Sequence, residues 1–433
     1  MNTTVLRANA DFRRLWIGQA ASKLGSRGSV VSVPLLVLAV THSPALMAMV
    51  ALFESISELV VMLPAGVLAD RFDRRRLMII ADLGCLASVG TLAVAAALGV
   101  ASLPLILAVT VVDCALGSLF AGSSAAALRR LVRPDDLGAA IAVVQARNSA
   151  VYLVGPLLGG ATFGIAPWLP FAFDALTFAV SAVLLLRIRT SLRVTEPPEP
   201  HLISEATAGL RFVLGKPFLR YVVIVAAAIN SIFGGVIVAA IAVSDAERAS
   251  STAIGAIVTS AGLGAMLGSL LMPPLRRRFS SSQLVMGTLG AMVGLIPLMG
   301  LVTHPLAMGA LIVGCSILAP VMSAVILTEL TAITPDELQG RVQSAMSFAA
   351  LCATPVGPMI AGAVLGAWGP LATFLALDAV LVGALIFSIS GLRNLRQLHA
   401  AAAATGGGSA RELGGDTEAG TVRADEEYTT DRL

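Results

Sequence analysis

Seven polar side chains sit inside stretches of sequence that are otherwise apolar: Lys23, Arg27, Glu54, Glu58, Asp113, Arg147 and Asn148. An ionised group in hydrocarbon costs several kcal/mol, so a chain that keeps one there either uses it or has paired it. Lys23 and Arg27 are four apart, as are Glu54 and Glu58. On a helix that spacing puts both members of a pair on one face. If the two runs are antiparallel neighbours, a rise of about 1.5 Å per residue sets Lys23 level with Glu58 and Arg27 level with Glu54. Such a ladder has two uses. Sealed in the fold, it is a pair of static staples. Open to water, one acid can take a proton, let its cation go, and return the proton on the other side. The residue types leave both readings open. Asp113 and Arg147 lie near mid-depth of two further runs, and Asn148, beside Arg147, can line the same path.

The elements that must position these groups are membrane spans. The 433 residues are 57% hydrophobic and only 13% charged, with a mean hydropathy of +0.88. Soluble domains carry about 25% charged residues, so the bilayer is the solvent for most of this chain. Apolar runs fall at about 15–40, 45–68, 77–98, 103–127, 138–163, 169–188, 220–243, 253–272, 283–302, 305–328, 342–366 and 370–391. Each is near the roughly 20 residues a helix needs to cross, which predicts an all-α membrane protein with twelve transmembrane helices. Arginines gather in every second connection, among them Arg71, Arg74, Arg129, Arg187 and Arg276, whereas the alternate connections hold only Arg248. Positive charge marks the cytoplasmic side, so both termini are expected in the cytoplasm.

The runs divide six and six. A cytoplasmic segment 1–14 precedes a bundle over 15–188. A polar linker over 189–219 contains Thr195–His201, and Ser204–Leu214 has the pattern of a short surface helix. A second bundle occupies 220–392, and a tail over 393–433 lacks apolar periodicity and is expected to be disordered. The halves repeat. Gly66, Pro134, Gly155-Pro156, Trp168 and Asp174 recur as Gly268, Pro335, Gly357-Pro358, Trp368 and Asp378, with offsets of about 200 residues throughout. A duplicated six-helix unit in parallel orientation accounts for that register.

Two motifs carry a resemblance. Gly66–Arg76 reads GVLADRFDRRR between the second and third runs. It resembles the G-x-x-x-D-R-x-G-R-R loop of major facilitator superfamily transporters through Gly66, Asp70, Arg71, Arg74 and Arg75, with Asp73 in place of the second glycine. Gly155-Pro156-Leu157-Leu158-Gly159-Gly160 resembles the G-P-x-x-G-G stretch of that superfamily's exporters, and small residues there also serve close helix packing. The upstream glycine of the longer signature is absent. The resemblance covers about residues 10–395 and is nearest to the branch of macrolide and siderophore exporters. It implies a latch in which Asp70 meets the start of span eleven near Arg341 when the inner side is shut. It also implies span five sliding on span eight, where Gly262, Gly264 and Gly268 stand. In many proton-coupled exporters an arginine precedes a span-four glycine by four residues. That position is Asp113 here, an inverted charge for which Arg147 can compensate.

As the resemblance implies, the expected activity is export of a small amphipathic organic solute by alternating access in exchange for protons. The expected location is a bacterial plasma membrane, as a monomer, with the proton gradient as the energy source and no cofactor. An importer or facilitator on the same fold, and a non-transporting membrane scaffold, are the rival readings. Asn230, Ser231, Ser323 and Thr328 supply only neutral polarity to the second half, and Met266, Met292, Met299 and Met322 offer pliable apolar surface. Asp82, Asp174 and Asp378 fall on outer spans and read as packing or capping groups. Cys85, Cys114, Cys315 and Cys352 have no ligand or disulfide spacing and read as inert thiols. No metal motif, nucleophile–base set or nucleic-acid surface is present in the sequence, so an enzyme is not expected.

Overall fold

The computed structural model describes residues 4–193, 215, 217–333 and 339–412. Among them there is helix and connection but no strand. After a one-turn helix, Thr4–Ala8, come α1 (Ala10–Thr41), α2 (Pro44–Arg71), α3 (Arg74–Ala97), α4 (Leu103–Leu131), α5 (Leu137–Ile165) and α6 (Leu169–Leu186). Then follow α7 (Pro217–Ala246), α8 (Ser251–Arg278), α9 (Ser281–Met299), α10 (Pro305–Ile333), α11 (Gln339–Ala353) and α12 (Val356–Glu412). Ten helices among the described residues are long and apolar enough to cross a membrane, and Gln283–Met299 forms a shorter apolar helix. Thr195–His201, Ser204–Leu214, Pro335–Leu338 and residues 413–433 lie outside the described residues.

Local chemistry sets the boundaries. Asn9, Ser43, Asp73, Ser250 and Ser280 each accept a hydrogen bond from a backbone N–H in the first turn of the helix they precede. In hydrocarbon or at its edge an unmade backbone bond is costly, so such caps fix where a helix starts. Asp73, the residue that replaces the motif's second glycine, is the cap of α3 and accepts from Arg75 N at 2.9 Å. Gly369 breaks α12 with φ 77° and ψ −176°, a conformation open to glycine and closed to most side chains. The helical backbone then runs on to Glu412, beyond residue 393 where order was expected to end. Ala400–Ala404 favour helix there, whereas Gly406–Gly408 do not, and the sequence offers no account of the last turns.

α1 packs on α5 and α6, α2 on α4, and α3 on α4 and α6. In the second half α7 packs on α12, and α10 on α8 and α9. Two contacts dominate between the halves, α5 on α8 and α2 on α12. Glycines permit them. A Cβ on Gly160 would lie 2.2 Å from Ser251 O and 2.9 Å from Gly255 Cα, and one on Gly362 would lie 2.3 Å from Ala48 Cβ. Both crossings are at the end of the molecule away from the arginine-rich connections. At the arginine-rich end Gly66 and Gly138 have no neighbouring atom within 4 Å of a Cβ position. Among the described residues, the close glycine contacts between the halves lie at the end away from the arginines. Outward-facing Val60, Ile80, Leu186, Leu270 and Ile386 are exposed and form the apolar exterior that lipid chains require.

Candidate functional site: an electrically divided centre

The central charges do not form the expected ladder. Lys23 Nζ is 3.4 Å from Asn148 Oδ1. Arg27 Nη2 donates to Tyr152 OH at 2.5 Å, and its guanidinium lies 3.8 Å over the Tyr152 ring. Both cations of α1 have thus turned to α5, not to Glu58 and Glu54 on α2. The reason lies in the packing. Gly155 sits against Arg27, where a Cβ would come within 2.4 Å of the Arg27 Cβ, and Gly159 sits against Gly28. This brings α5 closer to that face of α1 than α2 comes.

Arg147 is buried, only 4% exposed. It donates to Gln19 Oε1 at 2.6 Å, to Asn148 Oδ1 at 3.0 Å and to Trp16 O at 3.4 Å. It binds α5 to α1 from inside the fold and does not stand on a cavity wall as expected. Nor does it pair with Asp113. Every ion pair among the described residues is near the arginine-rich end: Arg14–Asp11, Arg133–Asp136 and Arg193–Asp73.

The acids gather separately. Glu54 and Asp113 line a hollow of about 170 Å³ together with Ser26, Ser29, Thr110 and Cys114. Its apolar wall includes Ile237, Val238 and Ile241 of α7, so it lies between the halves. Glu54 is close enough to Asp113, Glu58 and Arg27 for their charges to act on it. Asp113 Oδ1 is buried without a hydrogen-bond partner. A second hollow, about 230 Å³, lies among α7, α8 and α10. Asn230, Phe233, Met322 and Ser323 line it, and no ionisable group does among the described residues.

At the arginine-rich end, Asp70 is half-buried and forms no hydrogen bond or ion pair among the described residues. The Arg341 side chain lies outside them. Arg75 instead reaches α6, where Nε donates to Leu185 O at 2.9 Å and Nη2 donates to Leu186 O. A cation at a helix C-terminus meets the unpaired carbonyls and the negative end of the dipole. Arg74 Nε donates to Ala69 O at 3.3 Å, and the Arg71 side chain is exposed.

The Gly155–Gly160 stretch has two faces. Gly155 and Gly159 fit α1, while Pro156 and Gly160, one residue on, fit α8 at Gly255. The α8 partners differ from those expected. Gly262 does meet α5, at Tyr152 O, but Gly264 and Gly268 meet α10 at Val313 and Ile317. α8 is turned so that its later glycines serve its own half.

Tyr152 and Gln19 were not singled out from sequence, because neither is charged. Asp174, read as a packing or capping group, is fully buried and holds α6 to α1, accepting from Ser29 Oγ at 2.9 Å and Ser26 Oγ at 3.4 Å. Those serines, three apart and opposite a small-residue face at Gly25, were the available signal. Asp82 and Asp378 are buried as well. Cys85 and Cys315 are buried, whereas Cys352 is exposed and departs from the expected core setting.

Comparison with known proteins agrees with this architecture. Residues 4–341 match the family model described as transmembrane secretion effector. The multidrug efflux pump Tap of Mycolicibacterium fortuitum is 28% identical over 397 residues, covering 86% of this chain and 93% of that protein. The enterobactin exporter EntS of Shigella flexneri is 28% identical over 385 residues, covering 86% and 88%. Among solved structures, a bacterial homologue of the iron transporter ferroportin in its inward-facing state superposes with TM-score 0.68 at 15% identity, covering 88% of this chain and 98% of that one. The nucleoside transporter NupG gives TM-score 0.73 at 8% identity, covering 88% and 99%. At those identities the structures speak for the fold alone. The chain belongs to the transmembrane secretion effector family of major facilitator transporters.

Proposed function

We propose that this protein exports a small amphipathic organic solute across a bacterial plasma membrane by alternating access, in exchange for protons. The observation that carries the reading is the hollow between the halves. Its acids, Glu54 and Asp113, come from α2 and α4, its apolar side comes from α7, and glycine contacts among the described residues join the halves at the end away from the arginines. An acid on such a surface can gain and lose a proton as the halves rock. The export direction is supported by the family and by relatives named as a multidrug efflux pump and an enterobactin exporter. The family and these relatives are transporters, not enzymes.

The finer architecture belongs to the same reading. Dividing α12 at Gly369 and adding the shorter helix Gln283–Met299 to the ten long ones gives twelve crossings. They form two six-helix bundles, 15–188 and 220–392, related by a parallel repeat. Supporting this, Gly357 fits α7 at Ser231 and Gly235 much as Gly155 fits α1, and Gly362 fits α2 as Gly160 fits α8. Arginine placement puts both termini in the cytoplasm, so the open end is the inner one and the closed end the outer one. Gly66, Asp70, Arg71, Arg74 and Arg75 then form the inner rim. There Asp70 latches the start of α11 when the inner side is shut. Such a carboxylate at a helix N-terminus gains about 0.3–1 kcal/mol, enough to bias two closely balanced states. The protein acts as a monomer.

The test uses everted membrane vesicles with an acid interior. Amphipathic substrates added outside are expected to release protons from the lumen, and Glu54→Gln or Asp113→Asn should abolish that release. Release that persists in Glu54→Gln, Glu58→Gln and Asp113→Asn alike would remove all three acids as carriers.

A further inference from the structure

Among the described residues no ion pair joins the central cations to the central acids. Lys23, Arg27 and Arg147 stand on adjoining helices, close enough for the charges of Arg147 and Arg27 to act on Lys23. Their bonding partners are neutral: Asn148 Oδ1, which serves both Lys23 and Arg147, then Gln19 Oε1, Trp16 O and Tyr152 OH. The acids that face α1 are accounted for elsewhere. Asp174 on α6 is held by Ser26, Ser29 and Thr177. Glu54 and Asp113 line a separate hollow, and Glu58, Asp113 and, less strongly, Arg27 lie within electrostatic reach of Glu54.

Donors are therefore left over. An ammonium has three N–H groups and a guanidinium five. Lys23 uses one in a long contact of 3.4 Å, and Arg27 uses one on Tyr152. Arg147 is sealed in, but Lys23 is exposed, Arg27 is half-buried and Tyr152 is 49% exposed. The stacking and hydroxyl contact of Tyr152 fix the Arg27 guanidinium in place, so it is already oriented for an incoming group. The neutral 230 Å³ hollow borders α8, the helix that packs on α5. Ala261 of its lining precedes Gly262, where a Cβ would lie 3.2 Å from Tyr152 O. A pair of cations, with Arg27 already oriented, near an uncharged and largely apolar hollow matches a ligand with an acidic head and an apolar body.

We propose that Lys23 and Arg27 form an anion subsite, and that the exported solute is an organic anion whose apolar part occupies the hollow lined by Asn230, Phe233, Met322 and Ser323. This deepens the export reading and rests on it; binding of the anion does not require transport.

The experiment measures binding without transport. Purified protein in detergent is titrated with naphthalene-1-acetate, naphthalene-1-acetamide and 1-naphthylmethylammonium, one ring system in three charge states, and Tm is followed. The acetate is expected to raise Tm with a half-saturating concentration at least tenfold below those of the other two. Lys23→Gln and Arg27→Gln should each raise that concentration about tenfold, while Lys23→Arg and Arg27→Lys, which keep the charge, should retain most of the effect. The ligand-free Tm of each variant reports folding. The proposal is overturned if the ammonium probe matches the acetate, if the acetate gives no shift, or if Lys23→Gln with Arg27→Gln leaves its half-saturation unchanged in folded protein. Gradient-driven uptake of the same probes into everted vesicles reports on export. Binding of acetate without uptake would sink the export reading alone, and uptake of the ammonium probe in preference would sink this inference alone.

Discussion

The two faces of the Gly155–Gly160 stretch predict that neighbouring glycines have different consequences when changed to alanine. A Cβ on Gly160 would lie 2.2 Å from Ser251 O of the other half, and a Cβ on Gly159 would lie 2.2 Å from Gly28 O of the same half. Relieving either clash to a 3.4 Å contact needs a retreat of about 1.2 Å against backbone, which cannot swing aside as a side chain can. Overpacking of this kind costs about 1–3 kcal/mol. At Gly160 the cost falls only on the state in which α5 and α8 touch, so the balance between states moves about 5- to 150-fold toward opening at that end. At Gly159 every state pays, because α1 and α5 stay together, so Tm falls and the balance holds. Spin labels at Leu98→Cys and Leu301→Cys, exposed positions flanking that end in the two halves, read the difference in a background lacking Cys114 and Cys352. Gly160→Ala should shift the distance distribution to longer values, and Gly159→Ala should leave it as in wild type. An unchanged distribution in Gly160→Ala, or an equal shift in both, refutes the two-face reasoning.

Two further outcomes follow from the arginine-rich end. Asp11 Oδ2 accepts from Arg189 N at 3.1 Å, Thr190 N at 2.9 Å and Thr190 Oγ1 at 2.7 Å, while Oδ1 takes Arg14 Nη1 at 2.6 Å. Asp11→Ala is expected to cost on the order of 1–3 kcal/mol and to make the segment near Thr190 more sensitive to protease, with little change in turnover. Arg75→Gln removes a cation from the α6 C-terminus, which should lower Tm by a few degrees, consistent with about 0.3–1 kcal/mol for such a charge. Arg75→Lys should recover part of it. A Tm unchanged in Arg75→Gln would mean that these carbonyls are served equally well by water.

How far the sequence could be read depended on the range of the interaction. Apolar run length and Pro44, Pro104 and Pro170 near helix starts mark most elements, because spanning a bilayer is a one-dimensional requirement. Gly155 and Gly159 mark close packing for the same reason. Which neighbour a charge would choose was not legible. Lys23 and Arg27 match Glu58 and Glu54 in depth, but depth says nothing of azimuth. The rotation of α1 is set by Gly28 on Gly159 and Gly25 on Asp174, contacts between residues more than 100 positions apart. Arg147 was misjudged on similar grounds. Its charge suggests a cavity wall, while Gln19 and Trp16, which accept its hydrogen bonds in a buried setting, carry no charge to draw notice.

The Asp11 carboxylate ties the beginning of α1 to the stretch just after α6, and Asn9 Nδ2 adds a bond to Leu131 O at 2.6 Å. The first half is thereby a chain whose head and foot are knotted together. A bundle fastened in this way does not depend on its connection to the second half to keep its ends in register. Residues 1–193 are accordingly the natural piece to produce as a separate polypeptide, with the remainder supplied in trans.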